Sequence, residues 1–417
     1  MRILLIHQYF LETDDGGGSR FNEMARNWSE QGHDITVLAG MMHANGKEKR
    51  PEYKGKYFVK KQHEQVEVIR CHVSEAYNTN FLGRLWGYFS FVFASIYAGL
   101  FKVKGKYDII LVTSPPLFVG ITAYVLSLFK RTPFVFEVRD LWPESAIDTG
   151  VLTNGAIIKA AYWFEAFMYK RAQLINVLTP AFRDKLIQDK GVPPEKVTFI
   201  PNAADFSISD KILNSDFDRA ALRKTMGLEG KKVIIYVGAH GVANHLIQVI
   251  ETADLIKTEL PEVLFLLVGG GMRKAALKKE VAQRALKNVK FLDPVPKTEV
   301  FKYILASDFG SSVLKKVDTF KTIYSNKTFD YMACKRPIFM VIDGVSRELV
   351  EDAGCGVYVE PENPMDYAAK IRQYLKLEEG KLEEQGEAGY QYAKANFDRD
   401  VLANRYMEHL KKVLVKR

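Results

Sequence analysis

Lys327 and Asp330 stand three residues apart in TIYSNKTFDYMACKRP, residues 322–337. Phe329, Met332 and Ala333 recur at i, i+3, i+4, so the stretch predicts a helix with one apolar face. Ser325 or Asn326 is placed to cap it, which puts Lys327 in the first turn. A cation there has the wrong sign for the helix macrodipole. The placement makes sense if an anion is shared between the ammonium and the free backbone N–H groups. Asp330, close to one turn further on, supplies a carboxylate that accepts from sugar hydroxyls. An anion grip beside a hydroxyl grip suits a nucleotide sugar. An ordinary surface helix with a stray lysine is the other reading, and the stretch alone leaves both open.

Two more clusters lie where chemistry is expected. Arg139, Asp140 and Glu144 crowd the segment RDLWPES at the end of a strand-like run, 133–138, and open α/β sheets bind ligands at strand C-termini. Trp142 and Pro143 would stiffen that turn, so the cluster reads as a site rather than a solvated loop. Gly16, Gly17 and Gly18 sit where the first strand meets its helix. Without Cβ atoms they let backbone N–H groups approach an anion, and Arg20 adds charge. The pattern is not GxGxxG, and a plain tight turn explains it equally. Asp216-Phe217-Asp218 spells DxD, but in a polar stretch before a helix, where it reads as a chance match.

The elements that must position these groups follow a βα rhythm. Apolar runs at 2–7, 35–39, 66–71, 108–112, 133–138, 174–178 and 197–200 read as buried parallel strands with helices between them. A polar connection falls near 201–230. A second series follows, with strands at 232–237, 263–268, 289–292, 308–312 and 338–342, and glycine loops GAHGVANH and GGGMRK after its first two strands. Residues 40–65 are polar and Lys-rich and read as a mobile loop. The aromatic stretch 85–101 carries no charge and is flanked by Arg84 and by Lys102, Lys104 and Lys106. A buried crossover helix is its first reading, a helix on an anionic bilayer the second and a membrane span a distant third. The amphipathic, basic segment 401–415 is expected to return to the first domain.

Totals fit this plan. The 417 residues suffice for two domains. A net charge of +9 points to anionic partners. No Lys/Arg-rich arm is present, so nucleic acid is not indicated. Cys71, Cys334 and Cys355 lack pairing or metal spacing and read as reduced thiols of a cytosolic protein. The N-terminus opens on a strand pattern and not on a signal peptide.

Taken together, GGGSR, VRDLWPES, IPNAAD, YVGAHGVANHL, LLVGGGMRK, FLDPVPKTEV and SNKTFDYMACKRP resemble glycosyltransferase family 4, the retaining GT-B enzymes, over nearly the full length. The nearest likeness is to the bacterial subgroup that builds O-antigen and capsule, including L-fucosamine (N-acetylfucosamine) transferases. The resemblance implies an α/β, GT-B fold of two Rossmann-like doubly wound domains facing across a cleft. Residues 1–205 would bind the acceptor, joined by a returning C-terminal helix, 400–417. Residues 206–399 would bind a UDP-sugar. By the same resemblance, Gly16–Gly18 would line the donor–acceptor junction, and Gly238, His240 and Asn244 the donor loop. Lys327 with Ser325 and Asn326 would hold the diphosphate, Arg273 helping. Asp330 would grip the ribose, and Asp293 to Val295 would meet the base. Arg139 and Asp140 would act at the acceptor, with Arg20 and Glu144 on its side.

Three departures from the family pattern stand out: Ala239 and Asn244 replace a usual Arg and Lys, Thr322 a usual Glu, and Arg139 a His found in some members. Guanidinium stays protonated, so Arg139 is no base. Asp140 would orient or deprotonate the acceptor. With stereochemistry retained, the departing phosphate oxygen can itself take the acceptor proton. The expected reaction is metal-independent and needs no cofactor beyond the donor. Its acceptor would be a polyprenyl-diphosphate-linked glycan at the cytoplasmic face of the membrane, with membrane contact through residues 81–106. A UDP-sugar 2-epimerase and a non-catalytic sugar-nucleotide binder are the alternatives. A nicotinamide dehydrogenase is not indicated, since the first βαβ lacks GxGxxG and the acidic residue about 20 positions on.

Overall fold

A computed structural model describes residues 1–417 except 13–14, 16–19, 43–48, 79–80, 149, 151, 205 and 416–417. The chain divides into two compact units, Met1–Pro201 with Asp400–Arg417, and Asn202–Arg399.

Among the described residues, unit 1 carries eight strands: β1 (Arg2–Ile6), β2 (Asp34–Gly40), β3 (Phe58–His63), β4 (Val66–Cys71), β5 (Ile109–Ser114), β6 (Phe134–Val138), β7 (Leu174–Val177) and β8 (Val197–Phe199). They lie in the order β3-β4-β2-β1-β5-β6-β7-β8. All neighbours are parallel except β3 and β4. The near-continuous apolar runs RILLI and IILVTS are buried because helices cover both faces of a parallel sheet. Helix α1 (Arg20–Glu30) connects β1 to β2. Helices α2 (Phe81–Phe101), α3 (Val119–Lys130), the short α4 (Glu144–Asp148) and α5 (Gly155–Arg171) serve the strands that follow.

One expectation is corrected here. Residues 40–65 are not wholly loop: 58–63 pair antiparallel with β4 as an edge strand, with Lys60 and Gln62 exposed. A lysine-bearing edge discourages further strand pairing, which is why this strand looks like loop in sequence. In the DxD stretch, Asp218 Oδ1 accepts from Ala221 N and caps helix Arg219–Thr225.

The final helix, Arg399–Val415, packs on α1. Trp28 Nε1 donates to Ala403 O at 2.9 Å, its ring meets Tyr406 edge-on, and Asn27 donates to Asp400. The indole needs a polar partner in so buried a place, and the returning helix supplies it.

Among the described residues, unit 2 has six parallel strands: β9 (Lys232–Val237), β10 (Val263–Val268), β11 (Val289–Leu292), β12 (Phe309–Val313), β13 (Ile338–Val341) and β14 (Gly356–Tyr358). Their order is β11-β10-β9-β12-β13-β14. Alternate residues face opposite cores. Val233 and Ile235 pack with Phe329 and Met332 on one side of the sheet, and Ile234 and Tyr236 with Val249 and Ile250 on the other.

Candidate active site

In unit 2 the chain leaves β9 and β10 through two interlocked glycine loops. Gly238 N donates to Val268 O, His240 N to Gly270 O and Arg273 N to His240 O, at 2.8–3.0 Å. This register presses backbone on backbone. Gly238 (φ 142°) and Gly269 (φ 143°) take conformations that side-chain-bearing residues avoid. A Cβ on Gly269 would collide with the Gly238 carbonyl oxygen. Tyr236 pins the first loop from below, its hydroxyl donating to Ala239 O at 2.9 Å.

Lys327 comes to this loop from the other side. Helix Asn326–Ala333 begins at Ser325, whose side chain does not cap it. The Ser325 hydroxyl instead receives Lys327 Nζ at 3.1 Å. The ammonium lies 5.0 Å above the Tyr236 ring centroid, and a Cβ added to Gly238 would stand 3.3 Å from Lys327 Cε. Burial pulls the Lys327 pKa down to about 8, with Asp330 opposing the shift. The side chain is half-buried, so a cation is held at an uncapped helix start beside a glycine loop. That arrangement stabilises an incoming anion. Asp330 is half-buried one turn on. Asn326 is exposed and its Oδ1 accepts from Asn202 at 2.6 Å. Tyr331 fastens the helix to the sheet, accepting from Val237 N at 3.0 Å and donating to Ser311 O at 3.1 Å.

The remaining unit 2 residues separate into two kinds. Arg273 is exposed at the start of helix Lys274–Gln283, and Asp293 is exposed after β11. Lys274 joins them: its ammonium donates to Gly269 O, Leu292 O and Asp293 Oδ1 at 2.6–2.8 Å, holding the Asp293 carboxyl below its usual range. Val295 is half-buried against the core. His240 is different. It was expected to offer a hydrogen bond to the donor, but its ring is fully buried, edge-on to Phe291 and tilted to Tyr236. Burial, with Lys274 and Lys278 nearby, lowers its pKa to about 4. It is a neutral packing group under the loop. Asn244 Oδ1 accepts from Gly241 N at 3.3 Å and closes the loop on itself, and the Thr322 hydroxyl donates to Thr319 O.

In unit 1, Gly16–Gly18 lie outside the described residues. Arg20, expected beside the acceptor, is buried. It forks onto Glu137 at 3.1 and 3.2 Å and donates to the carbonyls of Ile200 and Pro201. Asn176 donates to the same carboxylate. Four of the five Arg20 N–H groups are spent on these partners, because a charge as buried as Glu137 must be paired. Glu144 Oε1 pairs at 2.7 Å with Lys190, which also binds Glu165. Asp140 is half-buried, accepts from the Ser145 hydroxyl at 2.8 Å, and is raised above the usual carboxylate range by burial and by Glu144. Arg139 is half-buried after β6. His7, buried after β1, packs on Phe10 and Phe21. Burial and the charges of Arg139 and Arg70 hold it well below the usual histidine range.

Sequence reasoning missed Glu137, Lys274, Tyr236 and His7. Only Glu137 carries a local signal, a lone charge inside the apolar strand FVFEV.

Residues 15–203 match the family described as Glycosyl transferase 4-like domain, and residues 218–392 the family Glycosyl transferases group 1. The chain is 27% identical to a colanic acid biosynthesis glycosyl transferase, WcaI, of Escherichia coli K12, over 90% of this chain and 93% of that one. It is 23% identical to the alpha-D-kanosaminyltransferase of Streptomyces kanamyceticus over 60% and 64%. Among solved structures, Anabaena Alr3699/HepE in complex with UDP superimposes with a TM-score of 0.72 at 18% identity, covering 99% and 100% of the two chains. The alpha,alpha-trehalose 6-phosphate synthase of Burkholderia multivorans gives 0.75 at 11% identity, covering 100% and 97%. These neighbours have the GT-B fold of two Rossmann-like domains, and so does this chain.

Proposed function

We propose that this chain, which carries a family 4-like and a group 1 glycosyltransferase domain, moves a sugar from a UDP-sugar to a lipid-linked glycan with retention of configuration. The observation that carries the reading is Lys327: a half-buried ammonium with its pKa lowered to about 8, at an uncapped helix start, against the Gly238 loop. Cleaving a sugar–diphosphate bond leaves negative charge on the departing phosphate, and a fixed cation with N–H dipoles stabilises it. Asp330 then takes the ribose, Arg273 assists the phosphates, and the segment from Asp293 to Val295 meets the base. Anabaena Alr3699/HepE, solved with UDP and with UDP-glucose, supports UDP as the carrier. The resemblance narrows the sugar to N-acetylfucosamine or a related amino sugar, and the acceptor to a polyprenyl-diphosphate glycan of O-antigen or capsule synthesis at the cytoplasmic membrane face. Asp140 orients the acceptor hydroxyl.

The test is release of UDP that depends on a polyprenyl-diphosphate acceptor, with the product's anomeric configuration read by NMR. Lys327→Ala and Asp330→Ala should each lower turnover by at least about 100-fold, and chelation of divalent metals should leave it unchanged. Full turnover in both variants would refute the site. An inverted product would refute retention.

A further inference from the structure

Three neighbouring helices of unit 1 form an outer surface unlike the rest of the molecule. Right-handed crossovers from β4 to β5, β5 to β6 and β6 to β7 place α2, α3 and α5 on one face of the sheet, running in the same direction. Tyr124 of α3 meets Phe167 of α5 edge-on, and Gly99 of α2 lies against Leu126 of α3. Their outward positions are aromatic. Phe93, Tyr97 and Phe101 make one stripe along α2, with Phe93 61% and Phe101 66% exposed. Phe129 on α3 is 72% exposed and Trp163 on α5 is 68% exposed.

Charge on this layer has a single sign outward. Among the described residues of the three helices the one acidic side chain, Glu165, is buried and bound to Lys190. Exposed basic residues cluster where the helices end: Lys102, Lys104 and Lys106 after α2, Arg131 after α3, and Lys170 and Arg171 on α5. Among the described residues no helix is long and apolar enough to cross a membrane. Interfacial aromatics ringed by cations match the chemistry of an anionic lipid surface. A second copy of the same face would meet it with like charge.

We propose that unit 1 docks on an anionic phospholipid bilayer through the joint outer face of α2, α3 and α5. The docking stands on this surface alone, while its service to catalysis rests on the lipid-linked acceptor proposed above.

Co-sedimentation with phosphatidylcholine–phosphatidylglycerol vesicles tests it, with pure phosphatidylcholine vesicles as the comparison. Binding should favour the anionic vesicles and weaken with salt. Phe93→Glu with Trp163→Glu, and separately Lys102→Glu with Lys104→Glu, should each lower the partition coefficient by roughly tenfold or more. Both pairs are exposed, so the thermal transition and UDP affinity should stay as in the parent chain. Absence of binding to anionic vesicles, equal binding by the variants, or a dimer in light scattering that the same variants dissolve would each overturn the proposal. Transfer to a soluble short-chain acceptor is measured alongside. Vesicle binding without transfer sinks the enzymatic reading and leaves the docking intact, and transfer without vesicle binding does the reverse.

Discussion

Lys327 concentrates what a single side chain can do here. Its pKa of about 8 lies well below the ordinary lysine value of about 10.4. Below about pH 8 the ammonium is charged in folded and unfolded chains alike, and burying it weakens the fold. Between about pH 8 and pH 10.4 the unfolded chain holds more protons, so folded stability rises with pH. The stability gap between the parent chain and Lys327→Met should therefore narrow across that window, by at most about 3 kcal/mol before solvent screening of the half-buried group. Urea titrations at stepped pH read this directly. UDP affinity should run the opposite way, falling up to about tenfold per pH unit above about pH 8 as the cation is lost. Arg20 makes a contrasting case. Removing it in Arg20→Met leaves Glu137 buried without its fork and should cost about 3–5 kcal/mol in urea unfolding. Much of that should return in Arg20→Met/Glu137→Leu, where neither charge remains.

Elements explain why some of this was legible in the chain and some was not. Parallel strands buried on both faces advertise themselves as apolar runs, so RILLI, IILVTS and VLFLLV were read correctly from local pattern. The helix at 326–333 announced itself by spacing, and the loops after β9 and β10 by their glycines. What stayed hidden depends on partners far away in sequence. Arg20 reads as a ligand-facing cation until Glu137 is seen, 117 residues on. His240 reads as a donor until Tyr236 and Phe291 close over it. The strand at 58–63 is too polar to be found without its neighbour β4. The loops also yield a sharp expectation. Gly269→Ala sets a methyl against the Gly238 carbonyl oxygen at a φ that alanine avoids. It should abolish UDP binding by calorimetry and lower the melting temperature of unit 2. Tyr331→Phe keeps the packing but strips hydrogen bonds from Val237 N and Ser311 O. A loss of about 1–3 kcal/mol in unfolding free energy is expected.

At the level of the whole molecule, unit 1 is discontinuous, since residues 202–399 intervene before its closing helix. Truncation after residue 399 should uncover Trp28, lower the melting temperature of unit 1 by several degrees, and shift Trp28 fluorescence to the red. Calorimetry should find the unit 2 transition still present, because its two cores draw on residues 204–397. That division also sets an order of events at the ribosome, where domains fold as they emerge. The sheet of the first unit leaves the exit tunnel with one flank of α1 bare and the Trp28 indole unanswered. Its sealing helix is translated only after the entire second unit. A nascent chain of this protein therefore waits half-dressed through the synthesis of its other half, and it is in that interval that a chaperone has something to hold.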